Sequence, residues 1–146
     1  SAQGIADPAV LLAATGGQPQ EALAWSKQGI DATLWARLPA LVGQGVGQAL
    51  TAWPLPRVID TLQKLCHDSA CVAHGAAPRY FPANSITAGA DPRALAAWRV
   101  ELQRVARHAE HPWNAGLLIE SLVQQGQRAL HRAGPAARAV SVHSRP

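Results

Sequence analysis

Among 146 residues there is one tyrosine and one phenylalanine, cysteine occurs twice, and charged residues make up only 15% of the chain. No apolar run approaches the roughly 18–20 residues that a bilayer-crossing helix needs, so no membrane span is expected. The first residues lack the basic start, apolar middle and small-residue cleavage site of a secretory signal, which leaves the cytoplasm as the expected compartment. Cys66 and Cys71 lie five apart on one patterned helix. That separation points their side chains in different directions and disfavours a disulfide. They therefore give no sign of an oxidising compartment. Low charge does not mean disorder here, because 48% of the residues are hydrophobic and a core can be buried.

The motifs of common catalysis are missing too. A phosphate-binding loop needs a glycine-rich turn followed by Lys and Ser or Thr at the head of a helix, and no such string occurs. Gly43-Gln44-Gly45-Val46-Gly47 is glycine-rich but has no preceding strand, basic partner or dinucleotide spacing, and reads as a flexible bend. There is no Gly-x-Ser-x-Gly elbow and no His-Glu-x-x-His helix. No catalytic residue and no cofactor are expected in this chain.

What is present is helical punctuation. Asp7-Pro8 and Asp91-Pro92 each open a helix with a capping acceptor and a first-turn proline, over 7–15 and 91–110. Gly16-Gly17 ends the first, Gln18-Pro19 opens the next, and Asp31 caps a short segment that Pro39 should bend or end. In 55–74, Leu55, Val58, Ile59, Leu62, Leu65, Cys66, Ser69 and Ala73 fall on one face. Leu95, Trp98, Leu102, Val105 and Ala109 form a narrower seam. Over 114–131, Leu118, Ile119, Leu122, Val123, Gly126, Ala129 and Leu130 make a wide apolar arc, predicting a central helix. No strand alternation or internal repeat is evident. The fold class is all-α, a bundle of roughly five to seven helices.

Residues 75–90 connect two long helices and hold Arg79-Tyr80-Phe81-Pro82. A connection of that length is a candidate partner contact, through Tyr80 and Phe81, or a pinned surface crossing. On the last helix Glu120, Ser121, Gln124, Gln125, Gln127, Arg128 and His131 form a polar arc, and Leu117 projects from its middle. That leucine is either tolerated on the surface or an interface anchor. His67, Cys71 and His74 share a helical face at spacings of four and three, which makes them weak metal candidates. They lack an obvious fourth ligand, and Asp60 with Lys64 reads as an ordinary i,i+4 pair on a solvated surface. No metal is expected. The formal charge of +4 and pI near 9.8 owe much to Arg128, Arg132, Arg138 and Arg145. Phosphate attraction and plain solvation both account for such residues, and Arg93, Val100, Arg104 and Arg107 on one helical arc leave the same choice open.

Three strings carry a family resemblance. Leu11-Leu12-Ala13-Ala14-Thr15-Gly16-Gly17-Gln18-Pro19-Gln20-Glu21-Ala22-Leu23 resembles the small-domain helices of AAA+ clamp-loader subunits. Leu62-Gln63-Lys64-Leu65-Cys66-His67-Asp68 with Ala76-Ala77-Pro78-Arg79-Tyr80-Phe81-Pro82 is similar to the collar helix and following loop of the delta-prime type. His111-Pro112-Trp113-Asn114-Ala115-Gly116-Leu117-Leu118 resembles the turn before the last collar helix. The match spans 11–130, and the order of the strings weighs more than any one of them.

The resemblance implies an end of the AAA+ lid over 1–27 and a C-terminal helical collar over 28–133, with no AAA+ core in the chain, while the aperiodic Pro, Ala, Ser and Arg residues of 134–146 read as a flexible basic tail. Gln20 stands at the sensor-2 position, where ATP-binding members keep arginine, so the resemblance implies no nucleotide site. The implied partners are the clamp-loader delta and gamma/tau subunits of the bacterial DNA polymerase III holoenzyme, met through the collar. The sliding clamp and primed DNA would be reached only through the complex. The alternative is a small helical nucleic-acid-binding module.

Overall fold

A computed structural model of the chain describes residues 8–27, 30–108 and 111–130. Among these are six α-helices and no strand: α1 (Pro8–Ala14), α2 (Pro19–Lys27), α3 (Ala32–Gly43), α4 (Leu55–Ala73), α5 (Pro92–Arg107) and α6 (Ala115–Leu130). Single 3-10 turns at Gln48–Leu50 and Ala83–Ser85 interrupt the two longer connections. Asp7, expected to cap the first helix, the tail with His131, and residues Ala109 and Glu110 lie outside the described residues.

Helix ends follow the sequence punctuation. Gly16 takes φ 71°, and Gly17 N–H donates to the Leu12 carbonyl at 2.8 Å, closing α1 with a left-handed cap that only glycine adopts freely. Gly75 ends α4 the same way, with φ 83° and Ala76 N–H on the Cys71 carbonyl at 2.8 Å. Asp31 and Asp91 are the expected N-caps. Their carboxylates accept from Leu34 N–H at 2.8 Å and Arg93 N–H at 3.1 Å.

Pro39 does not end its helix. It sits inside α3, which runs on to Gly43. An interior proline removes a backbone donor and costs on the order of 3 kcal/mol. Trp35, Leu38, Pro39 and Val42 are all buried on one face, and that burial offsets the lost bond.

The three long helices pack as their apolar faces require. α6 touches α3, α4 and α5, the central position its wide arc predicts. The start of α5 is tied to the end of α6 by Asp91 N–H on the Ala129 carbonyl at 3.1 Å, so the two run antiparallel. Between them Trp98 packs closely against Gly126, where a Cβ would stand 2.5 Å from Trp98 Cζ2. Its indole N–H donates to the Leu122 carbonyl at 3.0 Å. Leu11 and Ala14 of α1 and Trp25 of α2 belong to the same buried cluster as Trp35, Leu62 and Leu122. No described helix is long and apolar enough to cross a membrane.

Candidate functional site

The most elaborate local construction lies where α4 meets the connection to α5. Asp68 is on the inward arc of α4 with Thr61 and Leu65, and is 0% exposed. Its carboxylate accepts from three successive backbone amides of the connection: Arg79 N–H on Oδ1 at 2.9 Å, and Tyr80 and Phe81 N–H on Oδ2, each at 2.8 Å. His67 Nδ1 stands 3.0 Å from Oδ1. Backbone donors buried without acceptors cost about 1–3 kcal/mol each, and one carboxylate here serves the buried amide of Phe81 and the partly buried amides of Arg79 and Tyr80. The connection is a pinned crossing, the second of the two readings of its length.

That pinning orients the aromatic residues. Phe81 turns inward, 4% exposed, and stacks on Trp35 with centroids 4.3 Å apart and planes 2° from parallel. It is a core residue, so the expectation that it offers a partner contact beside Tyr80 does not fit this arrangement. Trp35 N–H donates to the Tyr80 carbonyl at 2.9 Å, tying α3 to the same stretch. The Tyr80 ring remains half-buried at the surface.

A row of alternating cations and rings runs outward from there. The Arg57 guanidinium is 4.8 Å from the Trp25 ring centroid. Lys64 Nζ stands between Trp25 and Tyr80 at 5.2 and 5.4 Å, and Arg79 caps Tyr80 at 5.3 Å. Lys64 does pair with Asp60, at 2.8 Å, but it is not on a solvated face: its side chain is largely covered by the two rings. Cation over ring contributes about 0.5–2 kcal/mol, more as water is excluded.

The other sequence candidates disperse. Cys71 Sγ lies 3.9 Å from both ring nitrogens of His67, a packing distance rather than shared ligation. His74 Nδ1 is 2.8 Å from the Ala70 carbonyl of its own helix. Among the described residues no three His, Cys, Asp or Glu side chains converge as a metal site. Cys66 is buried with its thiol 3.4 Å from the Leu95 carbonyl. Burial pushes its pKa up to about 11, against the pull of the Arg99 charge, and both cysteines are free.

Gln20 is exposed on α2. Leu117 is 64% exposed on α6, and its N–H donates to the capping Asn114 side chain at 3.1 Å. Around it Glu120, Ser121, Gln124 and Arg128 are exposed, while Gln125 and Gln127 are partly buried, so the polar arc is narrower than its sequence suggests. Arg93, Val100, Arg104 and Arg107 are all exposed on α5. Arg104 is engaged by Glu101 through bonds of 3.0 and 2.7 Å, which hold the Glu101 carboxyl below its ordinary pKa.

Sequence reading missed Asp68 and the Arg57–Trp25–Lys64–Tyr80–Arg79 row. The first carried a signal: a carboxylate three residues after Leu65 and one before Ser69 falls on a buried arc and demands partners. The second joins three separate segments and carried none. No protein family, no curated protein and no solved structure matches the chain.

Proposed function

We propose that this chain is a non-catalytic assembly domain, the collar of a delta-prime-type clamp-loader subunit. In this reading it acts in the cytoplasm and joins the collars of delta and gamma/tau subunits, so that the complex places a sliding clamp on primed DNA. It contributes binding surface and takes no nucleotide, metal or other cofactor. The observation that carries the reading is Leu117. A leucine nearly two-thirds exposed stands on the outward side of the bundle's central helix, bordered by polar side chains, the arrangement of an interface anchor with its rim. The ordered strings that resemble the family's point to delta and gamma/tau as the neighbours.

The test compares two leucines of α6. Leu117→Glu leaves the monomer folded by circular dichroism and loses co-elution with delta or gamma/tau on size exclusion. Leu122→Glu places a charge in the core beside Trp98 and unfolds the chain. Undiminished co-elution of Leu117→Glu with competent partners removes the interface from this face.

The second reading, a helical nucleic-acid-binding module, draws on Arg93 and Arg107, which are exposed on α5. It requires binding to DNA that weakens steeply with salt. Arg104 is already engaged by Glu101, which reduces the free charge on that arc.

A further inference from the structure

The cleft bounded by α2, the first half of α4 and the Arg79–Tyr80 stretch has a volume of about 590 Å³ and carries an unbalanced set of donors. Trp25 is 2% exposed, yet its indole N–H has no acceptor among the described residues, and neither does the buried Nη1 of Arg57. The other two fully buried tryptophans are satisfied, Trp35 by the Tyr80 carbonyl and Trp98 by the Leu122 carbonyl. An indole N–H and a guanidinium can only donate, so the group that completes this wall must accept.

Charge narrows the class further. Arg57, Lys64 and Arg79 all line the cleft, against Asp60 and Glu21. Asp60 is paired with Lys64, whereas no carboxylate among the described residues lies within ion-pair distance of Arg57 or Arg79. Their positions are fixed by ring contacts, Arg57 on Trp25 and Arg79 on Tyr80, so little side-chain freedom is lost when they meet a ligand. Two guanidinium groups and one indole N–H around a single cavity suit an anion with several acceptor oxygens in different directions, as a tetrahedral phosphate has.

We propose that this cleft binds a phosphate oxyanion, held by Arg57 and Arg79 and accepting from Trp25 Nε1. The site does not depend on the assembly role, since it lies on α2, α4 and the pinned connection and uses nothing of the outer face of α6. The same chemistry is met by free phosphate and by the phosphodiester of a nucleic-acid strand.

The test is a titration of the full 146-residue chain with inorganic phosphate at constant ionic strength, followed by NMR at the indole N–H of Trp25. That peak is identified by its loss in Trp25→Phe. The expected result is a saturable shift in the millimolar range that chloride does not reproduce, weakened about tenfold by Arg57→Gln and by Arg79→Gln. The second substitution is at an exposed residue, so it reports even if the first perturbs folding. A short single-stranded oligonucleotide that competes at the same peak identifies the source as nucleic acid; failure to compete while phosphate binds identifies free phosphate. No saturable shift, a shift matched by chloride, or one unaffected by both arginine substitutions overturns the proposal.

Discussion

The α4–α5–α6 side and the α2–α3 side with its pinned connection are held together by different means. On the first, apolar faces interlock: Trp98 against Gly126, with Leu102, Val105, Ile119 and Leu122 buried around them. On the second, one carboxylate, one indole N–H and a row of cations on rings fix a stretch that has no regular structure. Shape complementarity spreads its energy over many contacts, so most single losses are partial. A polar clasp concentrates it, and its removal strands several buried groups at once.

The largest effect is therefore expected at Asp68. Asp68→Ala leaves the amides of Arg79, Tyr80 and Phe81 without their acceptor and destabilises the chain by about 3 kcal/mol or more. A urea melt measures it, and a loss under about 1 kcal/mol would show that the clasp is not what holds this side. On the interlocked side, Gly126→Ala drives a methyl into an indole that its own hydrogen bond holds in place, at a cost of about 1–3 kcal/mol. Gly43→Ala is the control. A Cβ there meets nothing within 4 Å, and the substitution is expected to be neutral or stabilising.

The smallest effect at neutral pH belongs to the cysteines that flank the two sides. Cys71 is partly exposed and reacts with an alkylating reagent in the native chain, while buried Cys66 reacts only after unfolding. Two thiols modified at equal rates in the native state would contradict this. Because burial raises the folded-state pKa of Cys66 from 9.0 to about 11, the folded chain keeps a proton that the unfolded chain loses. That contribution is intact below pH 9 and is lost as pH climbs toward 11.

The interlocked side was legible from residue order, and the clasped side largely was not. Leu95, Trp98, Leu102 and Val105 recur at helical spacing, so their burial follows from periodicity alone. The Asp91-Pro92 opening and the Gly16-Gly17 ending are local chemistry and placed those helix ends within a residue or two. Pro39 does not end α3 because tertiary burial outweighs the local rule. Phe81 and Lys64 misled because their surroundings are assembled from distant segments: Trp35 is 46 positions from Phe81, and Lys64 reaches both Trp25 and Tyr80. Periodicity describes one element at a time and carries no information about such meetings.

The Asp68 clasp also has a consequence for how the chain comes apart. Its carboxylate sits in the C-terminal third of α4, its three donors sit in the connection, and the middle donor's residue accepts from Trp35 of α3 through its own carbonyl. None of these segments can fray without breaking a bond to another. An irregular stretch that would ordinarily open independently, at little free-energy cost, is instead bound into one cooperative unit with two helices, so its backbone amides open only when α4 opens with them.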